Sequence, residues 1–265
     1  MRNATWNVNS VTARLPRLLP WLQETAPDVV ALQETKLADA AFPVAEMEAL
    51  GYQVASNGDG RWNGVALLSR VGLDDVVRGL VDQPGFPDPE ARAVGATCGG
   101  VRLWSVYVPN GREPGHDHYT YKLAWLEALR DTVAAELAAW PTAGGAPAYA
   151  VMGDFNVAPT DADVFDSFAF EGSTHVTEPE RAALAALRDT GLVDVLPRPM
   201  KYDRPFTYWD YRAGMFHKNL GMRIDLVYAT PALASAVRDA YVDRDARKGT
   251  GPSDHAPVVV DLALV

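Results

Sequence analysis

The residues in this chain that could do chemistry stand where apolar segments begin or end. Asp154 and Asn156 follow the apolar run at residues 148–152, and Glu34 follows another run at 29–32. Near the C-terminus, Asp254 and His255 immediately precede a third run at 257–260. Carboxylates beside an amide and an imidazole offer metal ligands, a general base and donors to a phosphate. Because short apolar runs are typical of buried strands, the pattern predicts one metal-dependent active site at the strand ends.

The carboxylates and amides among these residues suggest two tasks. In an extended segment, positions i and i+2 face the same way. Asp154 can therefore orient or deprotonate a water while Asn156 holds a phosphate oxygen. Glu34, with the amide oxygen of Asn7 from a neighbouring strand, can bind Mg²⁺, which prefers oxygen ligands.

His255 and Tyr107 are candidate donors to a phosphate oxygen. Asp225 lies at another buried strand, and a buried carboxylate can raise the pKa of His255 and fix its tautomer. Tyr107 ends the apolar strand at residues 103–106, so its phenol can reach the same place. The remaining histidines have no comparable setting and are interpreted as surface or structural residues: His116, His118, His175 and His217.

Each candidate also has an ordinary structural interpretation, which the sequence leaves open. Glu34 could end its strand in solvent, because charged side chains are mostly exposed. Asp154 is a residue type favoured in turns, as is the Asn at 156. His255 could be satisfied by a backbone carbonyl, and Tyr107 could be a core aromatic with a solvated hydroxyl. The hypothesis of a site rests on the number of polar strand ends in one chain.

Alternating helices and strands must position these residues. Periodicity predicts strands at 3–8, 29–32, 64–69, 93–98, 101–108, 148–152, 224–229, 236–242 and 258–264. It predicts helices at 11–25, 43–50, 119–140 and 178–190, with a loop at 143–147. Gly99-Gly100 indicates a hairpin, and hairpins among alternating elements favour two mixed sheets with helices outside. Since no long polar linker divides the chain, residues 1–265 are expected to form one domain.

Composition limits the compartment and the partners. Hydrophobic residues make up 48% of the 265 residues, enough for a substantial core. A single cysteine, Cys98, excludes an intrachain disulfide and fits a reducing compartment. We expect a cytoplasmic protein without a membrane partner, because no signal peptide and no apolar run of ~20 residues is visible. The net charge of −10 lowers the expected affinity for nucleic acid without excluding it.

Together the motifs resemble the exonuclease III family of AP endonucleases, in the endonuclease/exonuclease/phosphatase superfamily. The resemblance runs from Asn3 to about Leu262 and is carried by segments that include TWNVNS, PDVVALQETK, VMGDFNVAPTDADV, FTYWDYR, NLGMRIDLVYA and PSDHAPVVVDL. The short segments QET, GDFN and SDH mark the superfamily, and FTYWDYR and GMRIDL mark its DNA-repair branch. The resemblance implies a four-layered α/β sandwich, with two mixed β-sheets packed face to face and flanked by helices.

The resemblance also implies a role for each matching position. The implied metal ligands are Glu34, Asn7 and Asp254. The implied catalytic residues are the water-aligning Asp154, the phosphate-holding Asn156, Tyr107 and His255, and the histidine-orienting Asp225. The implied substrate-binding residues are Asn9 in the outer shell of the metal, Tyr208, Met222 and Ile224 around a flipped-out abasic sugar, and Trp209 and Arg212 on the DNA face.

The implied activity is Mg²⁺-dependent hydrolysis of phosphodiester bonds in double-stranded DNA, with Mn²⁺ as a substitute. The enzyme would incise 5′ to abasic sites and trim 3′ ends as a monomer. Ser10 stands where the family commonly has a glycine, and Thr12 where it commonly has a basic residue. Loss of that basic residue, together with the net charge of −10, lowers the expected affinity for undamaged duplex. The loop at 60–63 could contact DNA or be a structural turn. Two alternatives stay open: a phosphatase of the same superfamily, and a non-catalytic scaffold.

Overall fold

Two mixed sheets form the centre of the protein, whose computed structural model describes residues 1–140 and 145–263. The strands are β1 (Arg2–Asn7), β2 (Val29–Gln33), β3 (Gln53–Asn57), β4 (Val65–Ser69), β5 (Asp74–Arg78), β6 (Ala93–Cys98), β7 (Val101–Tyr107), β8 (Tyr149–Asp154), β9 (Val193–Asp194), β10 (Asp225–Ala229), β11 (Val237–Val242) and β12 (Val258–Leu262). Sheet 1 has the order β11-β12-β1-β2-β4-β3, and sheet 2 has the order β5-β6-β7-β8-β10-β9. Each sheet contains one parallel pair, β1–β2 and β7–β8.

Helices make the crossovers and cover the outer faces. They are α1 (Val11–Thr25), α2 (Val44–Glu48), α3 (Asp117–Ala138), α4 (Glu178–Arg188), α5 (Met215–Lys218) and α6 (Pro231–Ser235). The helix α1 joins β1 to β2, and α3 joins β7 to β8, as parallel neighbours require. The Ser10 hydroxyl caps α1 by accepting from the Ala13 amide. Thr177 and Glu180 form a capping box that starts α4.

The core is layered because strand residues alternate between the two faces of each sheet. On β2, Val29 and Ala31 belong to the layer between the sheets, whereas Val30 and Leu32 pack under α1. A third layer lies between sheet 2 and the helices α3 and α4. Since both sheets contribute to the central layer, we infer that the described residues form a single domain. Within the described ranges, none of the helices has both the length and the apolarity to cross a bilayer.

The sandwich of two mixed sheets flanked by helices is confirmed. The predicted helix at 11–25 has the observed bounds, and the helix predicted at 119–140 spans Asp117–Ala138. Three strands were not predicted: Gln53–Asn57, Asp74–Arg78 and Val193–Asp194. Positions 143 and 144 of the predicted loop, and position 264 of the last predicted strand, lie outside the described residues.

Candidate active site

The predicted polar residues meet at one edge of the sandwich. Strands β1, β7 and β8 end with Asn7, Tyr107 and Asp154, and Glu34 directly follows β2. The strand β10 runs antiparallel to β8, so its first residue, Asp225, lies at the same edge. The edge shared by the carboxyl ends of parallel strands is where α/β proteins commonly bind ligands. Both sheets therefore contribute to one polar centre.

Strand register places three of these side chains on one rung of sheet 2. Tyr107 pairs with Asp154 across β7–β8, and Asp154 pairs with Asp225 across β8–β10. Gly153 makes this rung possible, because a Cβ at that position would lie 1.9 Å from the Val106 carbonyl oxygen. The three functional groups are therefore fixed by strand pairing, not by a flexible loop.

Asn7 connects the two acidic side chains of the centre. Its amide nitrogen donates to Glu34 Oε1 at 2.8 Å and to Asp154 Oδ2 at 2.9 Å. Its amide oxygen accepts from the backbone amide of Asn9 at 3.0 Å. In this orientation Asn7 bridges the carboxylates with its nitrogen and turns its oxygen toward the backbone. Its predicted role as a metal ligand stays a prediction.

Glu34, Asp154 and His255 form a group whose candidate ligand atoms lie within 4.8 Å of one another. The two carboxylates supply oxygen donors of the kind that a hard cation takes. Burial raises the pKa of Asp154 to about 7, His255 opposes the rise, and the Asp225 carboxylate adds to it. A bound cation would offset this repulsion, so the residues fit a divalent metal.

Lys36 occupies the solvent side of the same carboxylate. Its ammonium lies 2.9 Å from Glu34 Oε2 and donates to Asn9 Oδ1 at 2.6 Å. Burial alone would raise the pKa of Glu34, but Lys36 and the Asn7 hydrogen bond together lower it. Asn9 in turn donates to Asp254 Oδ1 at 3.1 Å. Asp254, a predicted metal ligand, therefore reaches the centre through Asn9 in this structure.

His255 is held by the carboxylate that the sequence indicated. Its Nδ1 lies 2.8 Å from Asp225 Oδ2, and its Nε2 lies 3.8 Å from Asp154 Oδ2. Burial alone would lower the pKa of His255, but Asp225 and Asp154 outweigh it and raise the pKa to about 10. The raised pKa favours the protonated ring, whose Nε2 can donate a hydrogen bond toward the centre.

Asn156 and Tyr107 present donors beside this centre. The Asn156 backbone amide donates to Asp154 Oδ1 at 2.9 Å, and its side-chain nitrogen donates to the Val108 carbonyl at 3.0 Å. Burial, and then the Glu34 carboxylate, raise the pKa of Tyr107 well above its ordinary value. The phenol therefore keeps its proton and can donate it to a phosphate oxygen.

Left-handed backbone conformations cluster around the centre. Glu34, Lys36, Asn9 and Asn156 have φ values of 50°, 54°, 46° and 51°. Such conformations are uncommon in residues other than glycine and persist where the surrounding structure enforces them. Their concentration beside the carboxylates supports a functional interpretation of the site.

The residues predicted to line a sugar pocket lie together next to His255. The ring centroids of Tyr208 and His255 are 5.0 Å apart, and Tyr208 forms isolated bridges with Met222 and His255. Met222 and Ile224 pack with Ala158 in a small apolar cluster. Arg212 is exposed and pairs with the nearby Asp210.

Trp209 requires a correction, because its side chain does not lie on the DNA-facing surface. It is 1% exposed, packs edge-on against Phe216 and donates to Asn219 Oδ1 at 3.3 Å. Neighbouring residues in an extended segment point to opposite sides. Because Tyr208 faces His255, Trp209 points away from the site into the core.

Sequence reasoning missed several residues around the centre. Lys36 was not considered, although it stands two positions after Glu34. Lys122 and Glu180 form a fully buried ion pair, and His175 Nδ1 lies 2.5 Å from the Asn156 carbonyl oxygen. For the buried ion pair, the only signal in the sequence was a lysine on the buried side of the helix predicted at 119–140. Helical periodicity does not show which residues such a lysine contacts.

Comparison with known proteins agrees with this geometry. The family model described as "Endonuclease/Exonuclease/phosphatase family" matches residues 4–255. The chain is 30% identical to exodeoxyribonuclease III of Haemophilus influenzae, with 97% of this chain and 98% of that protein covered. Its fold is similar to that of the 3′ phosphatase NExo from Neisseria bound to a product DNA hairpin, with a TM-score of 0.92, 37% identity and full coverage of both chains. An AP endonuclease from Archaeoglobus fulgidus gives a TM-score of 0.90 and 34% identity, again with full coverage of both chains. The chain therefore belongs to the endonuclease/exonuclease/phosphatase family, within its exonuclease III branch.

Proposed function

We propose that the protein is a Mg²⁺-dependent DNA-repair nuclease that incises 5′ to abasic sites and trims 3′ ends in double-stranded DNA. The observation that carries the proposal is the convergence of Glu34, Asp154 and His255, with Asp225 holding the histidine. Hydrolysis of a phosphodiester needs a cation, an oriented water and donors to the phosphate oxygens. The centre offers residues for all three.

The phosphate would be held by Asn156, Tyr107 and His255. A five-coordinate phosphorus carries more negative charge on its oxygens than the ground state does, so donors aimed at them favour the transition state. A protonated His255 would add positive charge, and the Asp225 carboxylate beside it favours that form by raising the pKa of the ring. The sheet fixes Tyr107 and Asp154 on one rung, so the donor and the base need little rearrangement.

Asp154 would align or deprotonate the attacking water. Its pKa is raised to about 7 without metal, and a bound cation would lower it, so the carboxylate would be ionised and able to accept a proton at physiological pH. Its Oδ2 is fixed by Asn7 and its Oδ1 accepts from the Asn156 amide. The carboxylate is therefore oriented before substrate binds, which limits the cost of positioning the water.

Glu34 would hold the metal ion, with Asn7 and Asp254 as the further ligands we propose. When bound, Mg²⁺ supplies positive charge to the phosphate oxygens and to the departing alkoxide. Mn²⁺, which also takes carboxylate oxygens, is expected to substitute. Asn9 would support the site from outside by linking Lys36 to Asp254.

The proposed substrate is DNA with an abasic site or an accessible 3′ end. A missing base lowers the cost of extruding the sugar, and the apolar cluster of Met222 and Ile224 beside Tyr208 would line its pocket. Arg212 and the loop at 60–63 would contact the strand outside the centre. In that loop Trp62 is 64% exposed and Arg61 lies over its ring at 5.3 Å, which suits contact with nucleic acid.

The test is cleavage of a duplex that carries one abasic site, run beside an intact duplex and a duplex ending in a 3′-phosphate. A nick on the 5′ side of the lesion that leaves a 3′-hydroxyl, and that a chelator abolishes, is the expected result. The other two duplexes measure exonuclease and 3′-phosphatase activity under the same conditions. Turnover of an inositol phosphate without cleavage of DNA would instead favour the superfamily phosphatase.

We also propose that the enzyme acts as a monomer in the cytoplasm. The lone, buried Cys98 suits a reducing compartment. Light scattering at several concentrations, with and without the abasic duplex, would test the oligomeric state.

A further inference from the structure

A buried ion pair lies behind the loops that would hold the phosphate. Lys122 belongs to α3 and Glu180 to the first turn of α4, and both side chains are 0% exposed. Taking two charges out of water costs several kcal/mol per ion unless their hydrogen-bonding capacity is well used. The other hydrogen-bond partners of Lys122 and Glu180 therefore indicate the role of the pair.

The Lys122 ammonium donates mainly to the backbone of two loops, the one after β7 and the one after β8. The ammonium donates to the backbone carbonyl of Asn156 at 2.7 Å and to that of Asn110 at 3.1 Å. It also contacts Glu180 and, at 3.3 Å, the Thr174 hydroxyl. Asn110 lies in the loop after β7, and Asn156 lies in the loop after β8. One ammonium thus joins the segments that follow Tyr107 and Asp154.

These contacts fix the backbone of Asn156 and therefore the orientation of its side chain. Its backbone φ is 51°, and its carbonyl accepts from Lys122 and also lies 2.5 Å from His175 Nδ1. The side-chain nitrogen of Asn110 lies 3.4 Å from Asn156 Oδ1. With the carbonyl held in this way, the Asn156 backbone amide donates to Asp154 Oδ1, and the side-chain nitrogen lies 3.0 Å from the Val108 carbonyl and 3.4 Å from Asp154 Oδ2.

Glu180 anchors the ammonium and has little freedom itself. Its carboxylate accepts from the Thr177 amide and hydroxyl at 3.1 and 2.6 Å, from the Thr174 hydroxyl at 2.7 Å, and from the His175 amide at 2.9 Å. The space around Lys122 is also filled. A Cβ at Gly111 would lie 2.9 Å from Lys122 Cδ and 2.7 Å from the Thr174 hydroxyl.

We propose that Lys122 is a positioning residue for phosphodiester hydrolysis, which fixes the Asn110 and Asn156 loops against each other so that Asn156 is aligned with the phosphate. The inference rests on the proposed nuclease function. A purely structural ion pair requires only that the two charges contact each other. The ammonium of Lys122 also donates to the backbone carbonyls of both loops. Lys122 is fully buried and donates to the Asn156 carbonyl, so its effect passes through Asn156.

The test uses the double variant Lys122→Met with Glu180→Gln, which removes both charges and leaves neither buried partner ionised. It should recover most of the melting temperature that Lys122→Met alone loses. Its kcat on the abasic duplex should fall about 10- to 100-fold, as expected for a misplaced functional group. Its KM should change much less, because the contact acts on alignment.

A control ion pair joins α3, the helix of Lys122, to β7, the strand that precedes the Asn110 loop. Arg102 at the start of β7 pairs with Glu136 near the end of α3, at the end opposite to the site. The double variant Arg102→Met with Glu136→Gln removes both charges of this pair, whose side chains are 9% and 28% exposed. It should lower the melting temperature without lowering kcat. Equal losses of kcat in the two double variants would overturn the inference, as would wild-type kcat in the Lys122 double variant.

Hydrogen exchange of the DNA-free protein separates this inference from the nuclease proposal. The Asn156 amide should exchange faster in the Lys122 double variant, while amides within β8 keep their protection. Unchanged exchange at Asn156 would overturn the positioning role even if the wild type cleaves no DNA. If the Lys122→Met double variant does not fold, Lys122→Leu with Glu180→Gln replaces it in the kinetic and hydrogen-exchange measurements. The same results would then support or overturn the inference.

Discussion

Two charged clusters meet on either side of Ile224, and they differ in how completely their hydrogen-bonding groups are satisfied. In the first cluster, Arg223 Nε contacts Asp163 at 2.6 Å, while its two Nη atoms contact Asp194 at 3.1 and 2.9 Å. Asp163 also accepts from the Thr160 amide and hydroxyl. One cation therefore lies between two carboxylates, and each guanidinium nitrogen has a carboxylate partner.

The second cluster, two residues further along, is left incomplete. Asp225 Oδ1 is buried and finds no hydrogen-bond donor within the described part of the chain. Asp154 lies close enough to Asp225 and Glu34 for their charges to raise its pKa. Lys36 pairs with Glu34, whereas His255 lies between Asp225 and Asp154.

The difference separates a stabilising cluster from a reactive one. Removing one partner of a satisfied buried ion pair strongly destabilises the folded protein, because the other charge is left buried and unpaired. A crowded group of carboxylates costs stability, and proteins retain such groups where a ligand or a cation will complete them. Changes in the first cluster should therefore act on stability, and changes in the second should act on catalysis.

The largest expected effect is the loss of turnover in Asp154→Asn. Removing the base should lower kcat about 10²- to 10⁴-fold, while binding of the abasic duplex is kept. Folding raises the pKa of Asp154 to about 7, so ionisation of this carboxyl costs stability as the pH rises through that value. The variant should therefore melt higher than the wild type at pH 8 but not at pH 4. Exposed Asp166→Asn is the control, and near-normal turnover by Asp154→Asn would exclude the assigned role.

Arg223→Met tests the satisfied cluster. Leaving Asp163 and Asp194 without their cation should cost about 3–5 kcal/mol in the free energy of unfolding, measured by urea titration. Turnover below the unfolding transition should stay near that of the wild type. The matched change Arg198→Met breaks an exposed pair with Asp239 and should cost no more than about 1 kcal/mol. A collapse of kcat in fully folded Arg223→Met would remove the distinction between the clusters.

Glu34→Ala should raise the Mg²⁺ concentration needed for half-maximal activity. The shift should be at least the roughly 10- to 100-fold that loss of a residue supporting a ligand typically causes. Metal titrations of the wild type, the variant and exposed Glu48→Ala measure it. An unchanged titration in Glu34→Ala would take this residue out of the metal site.

The smallest effect expected is a shift in the pH profile of kcat/KM. Activity should rise with pH as Asp154 ionises and should level off below pH 7, because bound metal favours the charged form of a carboxyl whose metal-free pKa is about 7. It should fall near pH 10 as His255 loses its proton. The stability that this proton contributes is fully present below pH 6.5 and is lost as the pH rises from there to about 10. Asp225→Asn should move the descending limb to lower pH, because it removes the main carboxylate support of His255. A descending limb at the same pH would contradict the pairing.

Much of the fold was predictable because its signals are local. The helix at Val11–Thr25 has an apolar face and a Ser10 cap, and its bounds were predicted correctly. The strand Asp74–Arg78 was missed because it lies at the edge of its sheet and is mostly exposed, so no apolar run marks it. The strand Gln53–Asn57 is likewise a polar edge strand.

The candidate site was predictable only in part. Asp154 and Glu34 follow apolar strands, so their convergence could be expected from strand ends alone. The orientation of the Asn7 amide depends on which carboxylates surround it, and this is settled by the packing of the two sheets. Trp209 and Lys122 were misjudged or missed for a similar reason. Burial of one aromatic and one ammonium depends on contacts between segments far apart in the chain.

The origin of the centre in two separate sheets makes activity sensitive to how those sheets dock. Asn7 comes from sheet 1, whereas Asp154 and Asp225 come from sheet 2, and His255 lies just before β12 of sheet 1. A slide of one sheet over the other by a fraction of an ångström would separate base, histidine and metal ligand, although every strand stayed paired. Warming should therefore inactivate the enzyme before circular dichroism records any loss of secondary structure.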